Sequence, residues 1–346
     1  MRTFECDYTE GAHPKIMDAL LRTNLEQMSG YGSDPYSERA KDKIRLACNA
    51  PDATVALLVG GTQSNMIVID LLLAAFEGVL TAETGHINVH EAGAIEFTGH
   101  KVIGLRQTDG VLDVDALEAY LNTFYADATH EHMVRPGLVY LTHPTEYGTL
   151  YTKAQLRRVR ALCDKFGMKL YLDGARLGYA LGCPENELSL SDLAAYCDAF
   201  TIGGTKMGLL CGEAVVFTKD APMHLLSQIK RHGGLLAKGR VLGVQYDAMF
   251  TDGLYTAIGR EAIRHARRIR RILLDKGYTL AWESPTNQQF IILSDAEAKT
   301  VMQHVGFDLW GRTDEEHWIA RFTSSWSTTD RDVDELFAAL PEKSAL

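Results

Sequence analysis

Short continuous apolar runs alternate along the chain with segments whose apolar residues recur every three or four positions. The runs read as buried strands and the periodic segments as amphipathic helices. TVALLV (Thr54–Val59) predicts a strand, and Ser64–Phe76 after it a helix. KVIGL (Lys101–Leu105) predicts a strand, and Asp113–Tyr125 a helix with Asp113 as its N-cap. LVYLT (Leu138–Thr142) predicts a strand ahead of a helix over Lys153–Phe166. KLYLD (Lys169–Asp173), AFTIG (Ala199–Gly203) and EAVVF (Glu213–Phe217) predict three more strands. Strands without alternation, interleaved with amphipathic helices, predict an α/β chain whose mostly parallel sheet is covered on both faces. In such a sheet, chemistry gathers where strands end.

Beyond about Tyr255 the pattern changes. A basic helix over Tyr255–Asp275 contains RHARRIRRI, in which Ile and Leu turned inward and arginines in water outweigh an anion patch. YTLAW (Tyr278–Trp282), QFIIL (Gln289–Leu293) and HWIARFT (His317–Thr323) then read as short strands with helical segments between them. The last helix opens at Thr329 with Asp332 in a capping box. The expected division is a large domain over 1–254 and a smaller α+β domain over 255–346, with residues 1–12 lying across the junction.

Composition narrows the function classes. At about 150 residues per domain, 346 residues suit two domains. With 46% apolar and 23% charged residues, disordered and low-complexity readings fall away. The net charge of −10 argues against broad binding to nucleic acid or anionic membranes. The longest apolar stretch, Met66–Phe76, contains Asp70 and falls short of the ~20 residues a membrane helix needs. Six scattered cysteines show neither a CxxC pair nor a zinc-like spacing to histidine, so free thiols and no metal are expected. The opening MRTFECDYTEGAHP lacks an apolar signal core, and cytoplasm is the expected compartment.

Three strand ends carry unusual polar residues. VGGTQSN (Val59–Asn65) sets two glycines before a helix, where free N–H groups favour an anion. YLDGAR (Tyr171–Arg176) ends a strand on a carboxylate with a guanidinium three residues later. TIGGTKMG (Thr201–Gly208) ends another on a lysine flanked by glycines, which leave room around its amine. Alone, each has an ordinary reading: a capped turn, an Asp–Gly turn with a local ion pair, a solvated lysine. Together they are the parts pyridoxal phosphate requires, namely a phosphate cradle, a partner for the pyridinium nitrogen and an imine-forming amine. Neither GxGxxG after the first strand nor GxxxxGK[ST] is present.

With the early HP-helix, GYGSDPYSE, ETGHINVHEAGAIE and the late RFTSS, these motifs resemble the threonine aldolase and β-eliminating lyase group of fold-type-I pyridoxal-phosphate enzymes along nearly the whole chain. The resemblance implies a fold-type-I large domain and cleavage of a β-hydroxy-α-amino acid, such as threonine or allo-threonine, to glycine and an aldehyde. β-Elimination and transamination share the scaffold and stay open as alternatives. It implies Lys206 as the imine lysine, Asp173 at the pyridine nitrogen, Gly61 and Thr62 at the phosphate, and His86 stacked on the ring. Arg176 and Arg321 are implied to hold the substrate carboxylate, a task suited to a bidentate donor, with Asp7 among the substrate-binding residues. His132 is implied near the substrate side chain, and His132 and His86 are the candidate bases. Tyr31, and Lys238 or Arg240 of HGGLLAKGR, are implied to reach a neighbouring subunit's site. A homodimer or a dimer of dimers with shared active sites follows. Two departures stand out. Cys6 replaces the family's serine, and THPTEYGT (Thr142–Thr149) replaces its Glu–Asn–Thr–His segment, with Glu146 either substituting there or turned away.

Overall fold

The computed structural model describes residues 3–219 and 223–345. Its main sheet has seven strands in the spatial order Thr54–Leu58, Glu213–Phe217, Ala199–Gly203, Lys169–Asp173, Arg135–Thr142, Glu77–Ala82, Val102–Leu105. Glu213–Phe217 is antiparallel to both its neighbours, and the other pairs are parallel. Alternate residues fill opposite faces, as a doubly covered sheet requires. Leu170, Leu172, Phe200 and Ile202 join one core, whereas Tyr140, Tyr171, Val215 and Phe217 join the other.

Most predicted elements recur, several with the same ends: Lys153–Phe166, Lys169–Asp173, Ala199–Gly203, Glu213–Phe217 and His317–Thr323. The helix expected over Ser64–Phe76 instead spans Gly61–Leu72, so both Gly61 and Thr62 lie in its first turn. It stops early because residues 73–76 lead into Glu77–Ala82, a strand the apolar pattern does not announce. In EGVLTA, Glu77, Gly78 and Thr81 interrupt the run, yet burial of the last five residues makes it central.

The second sheet is antiparallel throughout, ordered Thr279–Leu280, Gln288–Ser294, His317–Thr323, Asp308–Arg312. Phe4, Ile291, Leu293, Phe322 and Leu336 are among the residues that fill its core. The helix Leu254–Asp275 serves both cores. Tyr255, Ile258 and Ile263 enter the large one, and Ile269, Ile272 and Leu273 the small one. The division expected at 254/255 therefore falls at the start of a shared element. The arginines of RHARRIRRI face outward and pair with acids: Arg264 with Glu261, Arg267 with Glu185, Arg268 with Asp334 and Arg271 with Asp275. Residues near the amino end contact elements of both sheets. Phe4 N–H donates to Gly306 O, Thr323 N–H donates to Phe4 O, and Asp7 meets Arg176.

Glycines let that long helix cross Leu177–Gly182 at near backbone contact. A Cβ at Gly259 would lie 1.9 Å from Gly178 O, and one at Gly182 would lie 2.3 Å from Gly259 C. Backbone cannot yield as a flexible side chain does, so Gly259→Ala is expected to cost about 3 kcal/mol. Urea denaturation should show a lower midpoint with an unchanged slope.

Candidate active site

The parallel strands end on one edge of the main sheet, and the antiparallel Glu213–Phe217 begins there. A cleft of about 260 Å³ opens along this edge, lined by Gly60, Gly61, Thr62, His86, Glu146, Asp173, Arg176, Lys206 and Glu213.

Lys206 sits on the tight turn Thr205–Met207 that follows Ala199–Gly203. Tyrosine hydroxyls pin the backbone around it. Tyr246 donates to Ile202 O at 2.7 Å, Tyr255 to Gly203 O at 3.0 Å and Tyr179 to Lys206 O at 2.5 Å. Loss of water around the amine, reinforced by the Arg176 charge, lowers the Lys206 pKa against the pull of Asp7, Asp173 and Glu213. A lowered lysine pKa is what imine formation needs.

Asp173 ends the adjacent strand. Its Oδ2 accepts from Tyr140 O–H at 2.7 Å and Asn65 Nδ2 at 3.0 Å, and its Oδ1 accepts from Ala175 N–H at 2.8 Å. Burial alone would raise its pKa, but the His86 charge and these donors outweigh burial and hold the acid below its ordinary range. The network continues outward. Asn65 Nδ2 also donates to Glu91 Oε1, which lies 2.7 Å from His86 Nδ1. The buried Glu146 accepts His86 N–H at 2.8 Å and Thr142 O–H at 2.9 Å. Burial pushes its pKa up, against those contacts.

Across the cleft, Arg176 is forked onto Asp7, Nε to Oδ2 at 2.8 Å and Nη2 to Oδ1 at 3.1 Å. Asn287 Nδ2 also donates to Asp7. Burial works against the Asp7 charge, yet Arg176 and Lys206 leave its pKa lowered. Arg321, on the second sheet, donates to Asp308 at 2.8 Å and Gln288 at 2.9 Å and lies 4.5 Å over the Trp310 ring. Its Nε is buried without a partner among the described residues. At the other end, the helix Gly61–Leu72 starts without a side-chain cap, and a Cβ at Gly60 or Gly61 would meet nothing within 4 Å. That empty, N–H-lined turn suits a phosphate.

Lys206, Asp173, His86, Gly61, Thr62, Asp7, Arg176 and Arg321 thus gather around one region. Four other expected residues do not. His132 is exposed on the turn His130–His132, which leads into the amino end of Arg135–Thr142. That eight-residue strand spans about 26 Å and separates it from the cleft edge, so His132 does not reach the cleft of its own chain. Glu146 is the titratable group that the far end of this strand brings to the cleft. His143, next to it, is buried against Asn186 and pushed down to about 4 by burial, which keeps it neutral. Tyr31, Lys238 and Arg240 lie away from their own chain's cleft. Tyr31 is 53% exposed and its N–H donates to Ala237 O, while the Arg240 guanidinium is spent on the carbonyls of Thr23 and Glu26.

Asn65, Tyr140, Glu91 and Glu213 escaped the motif reading. Asn65 closes VGGTQSN, but only the first helical turn shows its amide reaching Asp173 and Glu91. Tyr140 and Glu213 sit inside strands whose apolar runs signal burial, not chemistry.

A family model for β-eliminating lyases matches residues 4–304. The chain is 30% identical over 341 residues to the low specificity L-threonine aldolase of Pseudomonas aeruginosa, across 96% of this chain and 95% of that protein. The solved structure of Leishmania major threonine aldolase matches with a TM-score of 0.93 and 37% identity over 98% of each chain. The histidinol-phosphate aminotransferase of Clostridium acetobutylicum shares the fold, with a TM-score of 0.75 and 12% identity over 98% of each chain. By its sequence and its fold, this chain belongs to the β-eliminating lyase family of fold-type-I pyridoxal-phosphate enzymes.

Proposed function

We propose that the protein is a pyridoxal-phosphate-dependent lyase that cleaves threonine-type β-hydroxy-α-amino acids to glycine and an aldehyde. The observation that carries this reading is a lysine amine of lowered pKa that shares one cleft with the Asp173 carboxylate and the Arg176 guanidinium, in a chain similar to threonine aldolases end to end. The donor set suits the cofactor: an uncapped glycine turn for its phosphate, an ionised acid for its ring nitrogen, and an amine for its aldehyde. Bound there, pyridoxal phosphate supplies an electron sink for the bond broken at Cα.

The chain's own groups do the rest. Gly61 and Thr62 N–H groups would hold the phosphate, Asp173 would pair with the ring nitrogen, and the Lys206 amine would hold the aldehyde. His86, fixed through Glu91, is the imidazole available beside the ring. Arg321, with an N–H to spare, and Arg176, held rigid by Asp7, orient the substrate carboxylate. Glu146 and His86 are the groups suited to take the β-hydroxyl proton. The raised pKa of Glu146 moves it toward neutrality, where a base both accepts and returns a proton well. Purified protein given threonine or allo-threonine is expected to release glycine and acetaldehyde in equal amounts. Release of a keto acid with ammonia, or amino transfer to an added keto acid, would assign elimination or transamination instead.

The exposed positions of Tyr31 and Lys238, with Arg240 near them in the chain and all three outside their own cleft, support a homodimer, or a dimer of dimers, in which residues of this segment complete a neighbour's site. Mixing inactive Lys206→Ala protein with an inactive Tyr31→Ala, Lys238→Ala protein under subunit exchange is expected to restore part of the activity. No recovery despite demonstrated exchange would assign the whole site to one chain. Six unpaired cysteines support a reducing, cytoplasmic setting, and among the described residues no helix is long and apolar enough to cross a membrane.

A further inference from the structure

Glu213 lines the cleft, and the reaction above gives it no task. As the first residue of the antiparallel strand, it comes to the edge where the parallel strands end. Its register partners are Leu58 on one side and Gly203 on the other. Beyond Leu58 lies the Gly60–Gly61–Thr62 turn, and beyond Gly203 the turn of Lys206. The carboxyl therefore stands between the phosphate end of the cleft and the amine. It is 3% exposed, and its Oε2 is buried without a hydrogen-bond partner among the described residues. A buried polar atom left unpaired in a cleft points to a ligand atom that pairs it.

The charged groups facing Glu213 decide its protonation. Burial and the Asp173 carboxylate raise its pKa well above the ordinary range, and Lys206 opposes them. Tyr171, Tyr246 and Tyr255 also face it, and burial raises their pKa values well above the ordinary range, so they add no charge. The helix Gly61–Leu72 presents no charged side chain before Asp70. A carboxyl kept neutral in this place would have an O–H to donate, whereas an ionised one would repel a phosphate dianion.

We propose that Glu213 is a positioning residue that donates a hydrogen bond, as a neutral carboxylic acid, to the phosphate of bound pyridoxal phosphate. This rests on the cofactor reading above, and the comparison of two aldehydes keeps the two claims separable. Full-length protein stripped of cofactor is titrated, from about pH 6.5 to about pH 9.5, with pyridoxal phosphate and with pyridoxal, which lacks the phosphate but forms the same imine. Visible absorption reports binding, and the ratio of the two affinities cancels the titration of Lys206. In the native protein this ratio should fall as pH rises, because ionisation of Glu213 sets a negative charge against the phosphate. Glu213→Gln keeps the shape and an N–H donor, and its ratio should match the native one at low pH and lose the decline. Glu213→Ala should lower affinity for pyridoxal phosphate by about tenfold and leave pyridoxal unchanged. The apoprotein of Glu213→Gln should melt no lower than native, since it buries no acid, and this melting reports folding independently. Equal losses for both aldehydes in Glu213→Ala, or a native ratio flat across the pH range, would overturn the proposal. Failure of the native protein to bind either aldehyde would overturn the cofactor reading itself.

Discussion

Lys206→Ala is expected to lower kcat by at least about a thousandfold and to abolish the absorption change that borohydride produces in the yellow holoprotein. Among the described residues, no other lysine of the same chain lines the cleft. The tyrosine hydroxyls that fix this turn bond backbone carbonyls, not the amine, and the fold around the site should survive the substitution. The glycine turn and Asp173 remain, so the variant should still hold free pyridoxal phosphate weakly. Mass spectrometry after reduction gives the direct reading. The native protein should gain a reduced cofactor on Lys206, and the variant should gain none. Retained turnover in the variant would remove Lys206 from the chemistry.

Asp173→Asn is expected to lower kcat by about 10²- to 10³-fold with little change in shape. Its two carboxylate oxygens accept from Tyr140, Asn65 and Ala175, and an amide has only one oxygen to offer those donors. The amide also loses the negative charge that keeps the ring nitrogen protonated, and with it the ring's electron demand. A pH series adds a second check. Because the folded state holds the Asp173 pKa below its ordinary value of 3.8, its ionised form adds stability above that value and loses it as pH falls through the folded value. The stability gap between native protein and Asp173→Asn should therefore be full near neutrality and close in acid. Unfolding midpoints at several pH values measure it.

The sheet and its chemical edge were legible because both rest on local signals. Lys169–Asp173 and Ala199–Gly203 are apolar runs that stop on Asp173 and on a glycine before Lys206, and the structure keeps both ends. Glu77–Ala82 was not legible, since three interrupting residues hide a strand that only its parallel neighbours complete. Asp308–Arg312 was missed for a similar reason, as DLWGR becomes a strand by pairing with His317–Thr323. Within the site, residues next to glycines at strand ends could be read directly. Asn65 and Glu91 could not, because their meaning lies in contacts across 108 and 26 positions of chain. His132 shows the converse. Proximity in sequence to a cleft-lining strand does not say which end of that strand it joins.

The cores also draw on distant parts of the chain. The small one holds Phe4 together with Leu336, and the large one is finished by Leu254, Tyr255 and Ile263 on the shared helix. During synthesis from the amino end, Phe4 emerges before Leu336 and waits for the pocket that Leu336 helps to wall. The main sheet likewise stays open on one flank until that helix has left the ribosome. The small core cannot close as an early, independent unit, so a chain released short of the helix Asp330–Ala339 leaves Phe4 and the second sheet partly uncovered. Such truncated products are the kind a cell's chaperones and proteases engage first.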